Sequence, residues 1–192
     1  MISITVVRHG STAWSDAGRL CGSTDVPLLP EAEAGLLRKR DEFMKLLGSG
    51  ADSVNAFTSP SVRCISTSKA LGFPNALVDP RLRERGFGEL EGLTRAAAER
   101  DLGIVDIWAS SPVGGETTAE TAQRVRDFCA SVSHLDHIAI FSHGVALRLM
   151  AAMLCFGDWR HAKSLILDVG SVGRARTTSN GVLALNLWNR RL

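Results

Sequence analysis

Short apolar segments alternate along this chain with stretches that carry helix-start signals. Ile2, Ile4 and Val6 alternate with polar residues and run into Val7, which is typical of a strand entering a core. Residues 138–141 form a continuous apolar run of the kind that a buried parallel strand shows. Strands that alternate with helices favour an α/β fold. The sheet is predicted to be largely parallel, with mixed strands near the C-terminus.

Turn and cap residues divide the rest of the chain into further predicted elements. Strands are also expected at residues 54–57, 76–78, 165–169 and 182–188. Helices are expected at residues 30–47, 60–71, 94–102, 117–132 and 144–157. The stretch between His9 and Pro30 is rich in Gly, Ser, Thr and Asp and is predicted to be a loop. A loop of that length is uncommon in a compact domain unless it has a function.

The composition is that of an ordinary globular protein. The 192 residues are 45% hydrophobic and 22% charged, which excludes a disordered or fibrous chain. Neither a repeat nor a linker divides the sequence, so residues 1–192 are predicted to form a single domain. The net charge of +2 is too small to make nucleic acid or an anionic membrane the expected partner.

The cysteines and the apolar segments favour a cytoplasmic protein. Cys21, Cys64, Cys129 and Cys155 are far apart and form no metal-binding spacing, so we expect free thiols. The N-terminal segment has no basic region before its apolar run and does not resemble a secretory signal. The most apolar helix is too short to span a bilayer and contains Arg148. The oligomeric state is left open, with a homodimer as one candidate.

Two strands of this chain end in the same pattern, a polar residue followed by His and Gly. The first ends at His9 and Gly10, and the second ends at His143 and Gly144. In open α/β sheets, ligands bind beyond the carboxyl ends of the strands, so groups that follow parallel strands can converge on one crevice. We therefore expect His9 and His143 to face each other.

The second and third predicted strands, at residues 54–57 and 76–78, are followed by further charged groups at the same edge of the sheet. Arg63 lies one turn into a helix whose N-terminus favours anions, and Glu84 follows the third strand. Phosphoryl transfer requires stabilisation of charge on three oxygens, and the planar fork of arginine matches that geometry. A neutral imidazole can attack phosphorus, and Arg8 and Arg63 should lower the pKa of the histidine and keep it neutral.

Glu84 is the candidate general acid and base. It would protonate the leaving oxygen and then take a proton from water, which requires a raised pKa. The flanking Arg83 and Arg85 would oppose that shift. If the segment is extended, their side chains point to the other face, which weakens their effect on the pKa of Glu84.

The ordered motifs of this chain resemble those of the histidine phosphatase superfamily, which includes cofactor-dependent phosphoglycerate mutases. The resemblance covers residues 6–144 and consists of VRHGST (7–12), SP-x-x-R (59–63), L-x-E (82–84), FG-x-x-EG (87–92), GGET (114–117) and SHG (142–144). It implies a three-layer α/β/α sandwich that uses neither a metal nor a cofactor. It also implies His9 as the phosphorylated nucleophile and Glu84 as the proton donor, with Arg8, Arg63, His143 and Gly144 in the phosphate pocket.

Two positions depart from the motifs of that family. An acidic or long polar residue is common at position 11 and Asn at position 15, where this chain has Ser11 and Ser15. Ser15 carries a hydroxyl that could donate to phosphate, but with shorter reach. Thr24 matches a family segment at the pocket mouth and is a further candidate for substrate binding.

The resemblance leaves three functions open. Only 29 residues separate Glu84 from Gly114, whereas the mutases carry a longer insertion that retains the intermediate. A metal-independent phosphomonoesterase of the histidine acid phosphatase type is therefore favoured over a mutase. Its substrate would be a small phosphorylated metabolite. The LRERGFGELEG segment resembles that of α-ribazole-phosphate phosphatases of cobalamin biosynthesis, although broad-specificity phosphatases share it. A non-catalytic phospholigand sensor is the third interpretation, because of Ser11 and Ser15.

Other polar and aromatic residues are expected to have structural roles. His134, His137 and His161 match no motif and are predicted at the surface or in packing. Trp108 and Trp159 could line a pocket, but packing is favoured. Glu116 and Thr117 either belong to the site or only start a helix, and the sequence does not decide between these roles.

Overall fold

A central sheet of six strands forms the middle of the protein, with the strand order β3-β2-β4-β1-β5-β6. The computed structural model describes residues 2–48 and 53–192. The strands are β1 (Ser3–Arg8), β2 (Asn55–Thr58), β3 (Leu77–Val78), β4 (His137–Ser142), β5 (Ser171–Thr177) and β6 (Leu183–Arg191). The first four strands pair in parallel, whereas β5 and β6 are antiparallel. The mixed, mostly parallel sheet is confirmed.

Seven α-helices accompany the sheet in the described residues. They are α1 (Ala13–Asp16), α2 (Pro30–Arg38), α3 (Arg40–Leu47), α4 (Val62–Ala70), α5 (Arg95–Leu102), α6 (Thr118–Ser131) and α7 (Gly144–Phe156). Short 3₁₀ helices lie at Pro80–Leu82, Gly88–Leu90 and Trp159–Ser164. The predicted start of α6 is confirmed, because Thr117 and Glu120 form a reciprocal capping box.

Alternation along the central strands separates two apolar layers. Val7 and Phe141 pack on one face of the sheet, among residues of α2, α3 and α4. Val6 and Ile140 pack on the other face, among residues of α6 and α7. Successive strand residues point to opposite faces, so each central strand contributes to both layers. This arrangement is the three-layer α/β/α sandwich that the resemblance implies.

Two predicted elements differ from the structure, and the stretch before Pro30 that was predicted as a loop contains the short helix α1. The helix expected at 30–47 is divided at Lys39, whose backbone leaves the helical region. Leu36 and Phe43 nevertheless bury their side chains in the same apolar cluster. Because the apolar spacing continues across the division, it predicts one helix.

The strand predicted at residues 165–169 is wrong, and the strand of this region is β5. The backbone of that segment bonds to side chains and not to a neighbouring strand. The Leu167 carbonyl accepts from Arg8, and the Asp168 N–H donates to Asn189. Leu167 is buried, so its apolar side chain belongs to the core without a strand around it. A side chain on Gly173 in β5 would overlap Trp188, at 2.5 Å from the nearest ring atom, which explains a glycine in that strand.

Candidate active site

The two histidines that follow β1 and β4 lie side by side. The strands are parallel neighbours, and their register pairs Arg8 with Ser142, the residues before His9 and His143. The His9 N–H donates to the Ser142 carbonyl at 3.0 Å, which continues the pairing by one residue. The imidazole centroids are 5.3 Å apart in an edge-to-face arrangement. The expected proximity of the two histidines is therefore confirmed.

A cavity of about 730 Å³ opens at this edge of the sheet. Five of the predicted site residues line it, namely Arg8, His9, Ser15, Glu84 and Gly144. Three others are not in its wall, namely Thr24, Arg63 and His143. The volume lies within the range of small-molecule sites, about 300–1,000 Å³.

His9 presents one ring nitrogen with a free lone pair. Its Nδ1 lies 2.8 Å from the Gly10 carbonyl oxygen. A carbonyl only accepts, so the hydrogen-bond network assigns the proton to Nδ1 and leaves the lone pair of the neutral ring on Nε2. Burial lowers the pKa of His9 well below its usual value, and the charges of Arg8 and Arg63 lower it further. The imidazole is therefore neutral at pH 7, as nucleophilic attack requires.

Arg8 lies against the first residue of α7. Its Nη1 donates to the Leu167 carbonyl at 2.6 Å, whereas the buried Nε has no partner among the described residues. A side chain on Gly144 would lie 3.2 Å from the Arg8 Cζ, so glycine is what allows the guanidinium to approach the helix. The cation and the helix N-terminus together make this part of the wall favourable for an anion.

His143 is fully buried beside His9. Its Nε2 lies 2.8 Å from the Ser59 hydroxyl and 3.2 Å from that of Ser61. Burial and the neighbouring charge of Arg63 lower the pKa of His143 well below its usual value. The Cys64 thiol also contacts the ring, and burial raises the pKa of that thiol to about 12. A neutral thiol beside a neutral imidazole acts as packing rather than as a second nucleophile.

Arg63 is buried with its terminal nitrogens turned to backbone carbonyls. Nη1 donates to the Thr24 carbonyl and Nη2 to the Gly22 carbonyl, both at 2.9 Å. The buried Nε has no protein partner. Arg63 therefore fixes residues 22–24 and adds positive charge next to His9, without lining the cavity. Its predicted role in the phosphate pocket stays a prediction.

The N-terminus of α4, expected to attract phosphate, is occupied by a carboxylate of the protein. The Val62 N–H donates to both oxygens of Asp25, at 2.9 and 3.1 Å. Ser59, which precedes this helix, contacts His143. The helix begins at Val62, two residues later than predicted. Asp25 thus neutralises the helix dipole there.

Glu84 is held at the N-terminus of α7. Its carboxyl oxygens accept from the backbone N–H groups of Arg85, Val145 and Ala146, at 2.9 to 3.1 Å. The side chain is only 6% exposed and lines the cavity. Two hydrogen bonds from the start of α7 and one from the N–H of the next residue, Arg85, therefore fix the carboxyl group next to Gly144.

The flanking arginines of Glu84 point away from the cavity, as the extended segment predicts. Arg85 donates to the carbonyls of Glu116 and Ser110, both at 2.7 Å. Arg83 forms an ion pair with the Glu116 carboxylate. The same carboxylate pairs with Arg124 at 2.7 Å, and Arg124 donates to the Glu84 carbonyl at 2.9 Å. Glu116 therefore does more than precede a helix, since it fixes the segment that carries Glu84.

Ser15 and Thr24 have partners inside the protein. The Ser15 hydroxyl donates to the Thr12 carbonyl at 3.0 Å and accepts from the Thr12 N–H, as part of the cap of α1. Its single O–H is therefore already used, and its proposed donation to phosphate would require breaking this bond. The Thr24 hydroxyl is bonded to Glu91 and lies outside the cavity wall. Their roles in binding stay predictions.

Several charged residues of the cavity wall belong to no sequence motif and were not predicted. They are Arg19, Lys39, Arg95, Arg148, Asp168 and Arg191. Arg148 carried a signal, because it is a charged residue inside the most apolar helix of the chain. The others lie in loops or at the ends of elements, where the sequence pattern predicts no partner.

The family of the chain follows from a comparison with family models. The model described as histidine phosphatase superfamily (branch 1) matches residues 4–191. The chain belongs to the histidine phosphatase superfamily. Members of this superfamily are phosphatases and mutases, so the site just described is that of a phosphatase- or mutase-like protein.

Two curated members of the superfamily are similar in sequence. Sedoheptulose 1,7-bisphosphatase of Saccharomyces cerevisiae is 32% identical over 177 residues, and the match covers 77% of this chain and 65% of the yeast protein. A 2,3-bisphosphoglycerate-dependent phosphoglycerate mutase of Rhizobium etli is 32% identical over 143 residues, and the match covers 68% of this chain and 67% of the mutase. The match thus spans about two thirds of each relative.

Solved structures of other proteins confirm the fold of this chain. The product of an open reading frame of Mycobacterium tuberculosis has a TM-score of 0.88 at 22% identity, with 99% of this chain and 98% of that chain covered. The α-ribazole phosphatase of Shigella flexneri has a TM-score of 0.80 at 24% identity, with 99% and 97% covered. At these identities the likeness concerns the fold. Among the described residues, no helix is long and apolar enough to cross a membrane.

Proposed function

We propose that this protein is a phosphomonoester hydrolase that acts through a phosphohistidine at His9. The observation that carries the proposal is the hydrogen bond from the His9 Nδ1–H to the Gly10 carbonyl, which leaves the Nε2 lone pair on a ring in the cavity wall. The neutral ring is ready to attack phosphorus without first losing a proton.

The charges around His9 support phosphate as the group attacked. Arg8 lines the cavity, and Arg63 lies close enough to lower the pKa of both histidines. A phosphoryl group in transfer carries charge on its equatorial oxygens, and fixed cations stabilise that charge. The buried Nε of Arg8 has no hydrogen-bond partner among the described residues, and the Arg8 guanidinium is proposed as a donor for such an oxygen.

Glu84 is proposed as the acid and base, because it is the cavity carboxyl group next to the α7 N-terminus. Asp168, the other carboxyl side chain in the wall, pairs with Arg191. In the first step the His9 Nε2–P bond forms, the P–O bond breaks, and Glu84 gives a proton to the leaving oxygen. In the second step the oxygen of water bonds to phosphorus, the N–P bond breaks, and Glu84 takes the proton from water.

The substrate is proposed to be a small phosphorylated metabolite. The relatives act on chemically different phosphates, since one is a sedoheptulose 1,7-bisphosphatase and another structure is an α-ribazole phosphatase. α-Ribazole 5'-phosphate is one candidate, and would place the protein in cobalamin biosynthesis. A phosphoglycerate mutase activity is the second candidate, because the Rhizobium mutase is 32% identical. The short segment from Glu84 to Gly114 favours hydrolysis, since it gives water access to the intermediate.

A phosphate-release assay with EDTA present, over a panel of phosphomonoesters, tests the proposal. We expect wild-type protein to release phosphate and the His9→Ala variant to lose at least about a thousandfold in kcat. The exposed His134→Ala variant is the matched control and should keep wild-type activity. Rapid acid-free quenching should trap phosphate on His9 in a form that survives alkali, detected by mass spectrometry of the peptide.

Three results would contradict the proposed hydrolase. Wild-type activity in the His9→Ala variant would exclude His9 as the nucleophile. Transfer of phosphate between two positions of a phosphoglycerate, faster than release, would indicate a mutase. Binding of phosphorylated metabolites without any release would indicate a phospholigand sensor.

A further inference from the structure

The cavity extends from His9 to a second group of cations that the proposed mechanism does not use. Arg19, Arg95 and Arg148 line this part of the wall. An isolated bridge pairs Arg19 with Thr94, the residue before Arg95. Arg95 is in turn close enough to Arg148 to lower its pKa. The chain thus places three arginines, from a loop, from the start of α5 and from α7, in the wall of the cavity. The Arg19 Nη1 donates to the Gly92 carbonyl at 2.8 Å.

Within the described part of the chain, these three arginines differ from the other cations of the wall, because none of them forms an ion pair with a carboxylate. Lys39 pairs with Glu42 at 3.1 Å, and Arg191 pairs with Asp168 at 3.3 Å. Across residues 2–48 and 53–192, by contrast, no ion pair joins a carboxylate to Arg19, Arg95 or Arg148. Like charges that converge without an anion repel each other, and an anionic ligand removes that cost.

Arg148 is held in place by the protein, as a binding residue must be. Its Nε donates to the Ala162 carbonyl at 3.0 Å and its Nη2 to the Lys163 carbonyl at 2.9 Å. The guanidinium lies over the ring of Trp108, 4.5 Å from its centroid. Burial, followed by the charges of Arg95 and Arg8, lowers the pKa of Arg148 to about 10, so the group stays charged at pH 7.

We propose that Arg19, Arg95 and Arg148 bind a second anionic group of the substrate. The inference rests on the proposed function, in which the scissile phosphate lies at His9, and it narrows the substrate class. The substrate would carry a second phosphate or a carboxylate on a short carbon chain, and a cavity of about 730 Å³ has room for such a molecule. Arginine forks suit both anions, because each presents two coplanar oxygens.

Two pairs of substrates test this proposal, each differing only in the second anionic group. Fructose 1,6-bisphosphate is compared with fructose 1-phosphate, and 3-phosphoglycerate with glycerol 3-phosphate. We expect kcat/KM of wild-type protein to be at least about tenfold higher for the doubly anionic member of one pair. The first pair reports a phosphate and the second a carboxylate. The preference should decrease with added salt, because screening weakens charge recognition.

Variants then test whether the proposed arginines cause this preference for doubly anionic substrates. Arg95→Gln, at an exposed helix start, should lower the preference ratio about tenfold. Arg148→Lys should lower it partly, because the ammonium keeps the charge but loses the two hydrogen bonds that hold the guanidinium in place. Arg126→Gln is the matched control, since Arg126 is exposed on α6 and outside the cavity. The proposal is overturned if neither pair shows a preference, or if Arg95→Gln and Arg148→Lys both leave the ratio unchanged.

Binding measurements separate this inference from the proposed hydrolysis. Calorimetric titration of the His9→Ala variant with the same four compounds reports affinity without turnover. Tighter binding of a doubly anionic compound that is lost in His9→Ala/Arg95→Gln supports the second site even if wild-type protein releases no phosphate. Phosphate release without any preference, in turnover and in binding, overturns the second site and leaves the hydrolase proposal standing.

Discussion

Glu84 has two roles that a glutamine substitution affects differently. It is the proposed proton donor, and its carboxyl group accepts hydrogen bonds that hold the site together. The carboxyl group accepts from three backbone N–H groups with two oxygens, whereas a glutamine amide offers one acceptor oxygen. The Glu84→Gln variant should therefore lose roughly 1–3 kcal/mol of stability, because its NH₂ group would face a backbone N–H. A loss of activity that came only from this lower stability would be the same for every substrate.

The leaving group of the substrate reveals the proton transfer. An alkyl oxygen must be protonated as it leaves, whereas p-nitrophenolate scarcely needs a proton. We expect Glu84→Gln to lower kcat/KM about a hundredfold or more for an alkyl phosphate and less than tenfold for p-nitrophenyl phosphate. Asp168→Asn changes the other carboxyl side chain of the cavity and should affect both substrates in similar proportion. Equal losses in the Glu84→Gln variant would argue against an acid at this position.

Which residues would approach the phosphate was only partly predictable. His9 and His143 were predictable as neighbours, because each follows an apolar run and the two strands pair in parallel. The partners of Arg63 were not, because they are backbone carbonyls of an irregular loop, and no side-chain pattern indicates which carbonyl an arginine will meet. The same holds for Ser15, whose hydroxyl caps its own helix.

At the scale of elements, the N-terminus of α7 joins the parts of the site. Its first residue, Gly144, contacts Arg8, and the next two N–H groups bind Glu84. Strand β1 supplies Arg8, and the 3₁₀ segment after β3 leads to Glu84. The catalytic geometry therefore depends on how closely this helix end approaches β1.

Substitution of Gly144 tests that dependence. A Cβ there would lie 3.2 Å from the Arg8 Cζ and 3.3 Å from its Nε, so the guanidinium must move by a few tenths of an ångström. Gly144→Ala should lower kcat/KM about tenfold, since small displacements in a site are costly, while thermal unfolding should show a stable fold. Gly35→Ala is the control, because it also adds a methyl group to the cavity wall but in α2, where a Cβ meets nothing within 4 Å. It should keep wild-type kcat/KM and be neutral or stabilising in unfolding. Wild-type kcat/KM in Gly144→Ala would show that the close approach is not required.

Some elements could not be predicted from the sequence, because the pattern of apolar residues does not show how the backbone pairs. The apolar residues around Leu167 indicate a strand, but its carbonyl is used by Arg8, and the strand that pairs with β1 is the more polar β5. Burial of a side chain and pairing of its backbone are separate properties, and only the first leaves a clear sequence pattern. Caps leave a pattern too, which is why Thr117 correctly predicted the start of α6.

For the whole molecule, the site imposes a cost on stability at acid pH. His9 is 5% exposed and His143 is fully buried, both beside Arg8 and Arg63. Burial is the main reason that both histidines have pKa values well below 6.5 in the folded protein. In the unfolded chain they take up protons near pH 6.5, so the unfolded state binds more protons than the folded state below that pH.

Stability should therefore be fully present above pH 6.5 and fall as the pH decreases from there. Each of the two histidines contributes a slope of about 1.4 kcal/mol per pH unit between 6.5 and its lower folded pKa. Urea unfolding measures the free energy of unfolding between pH 7 and pH 5. Its slope against pH should be lower by the contribution of one histidine in His9→Gln and by that of two histidines in His9→Gln/His143→Gln. Carboxylates contribute equally to all three proteins, so the differences isolate the histidines. Identical slopes would mean that the buried rings take up protons without unfolding, and neutral His9 would then be lost from the proposed mechanism at acid pH.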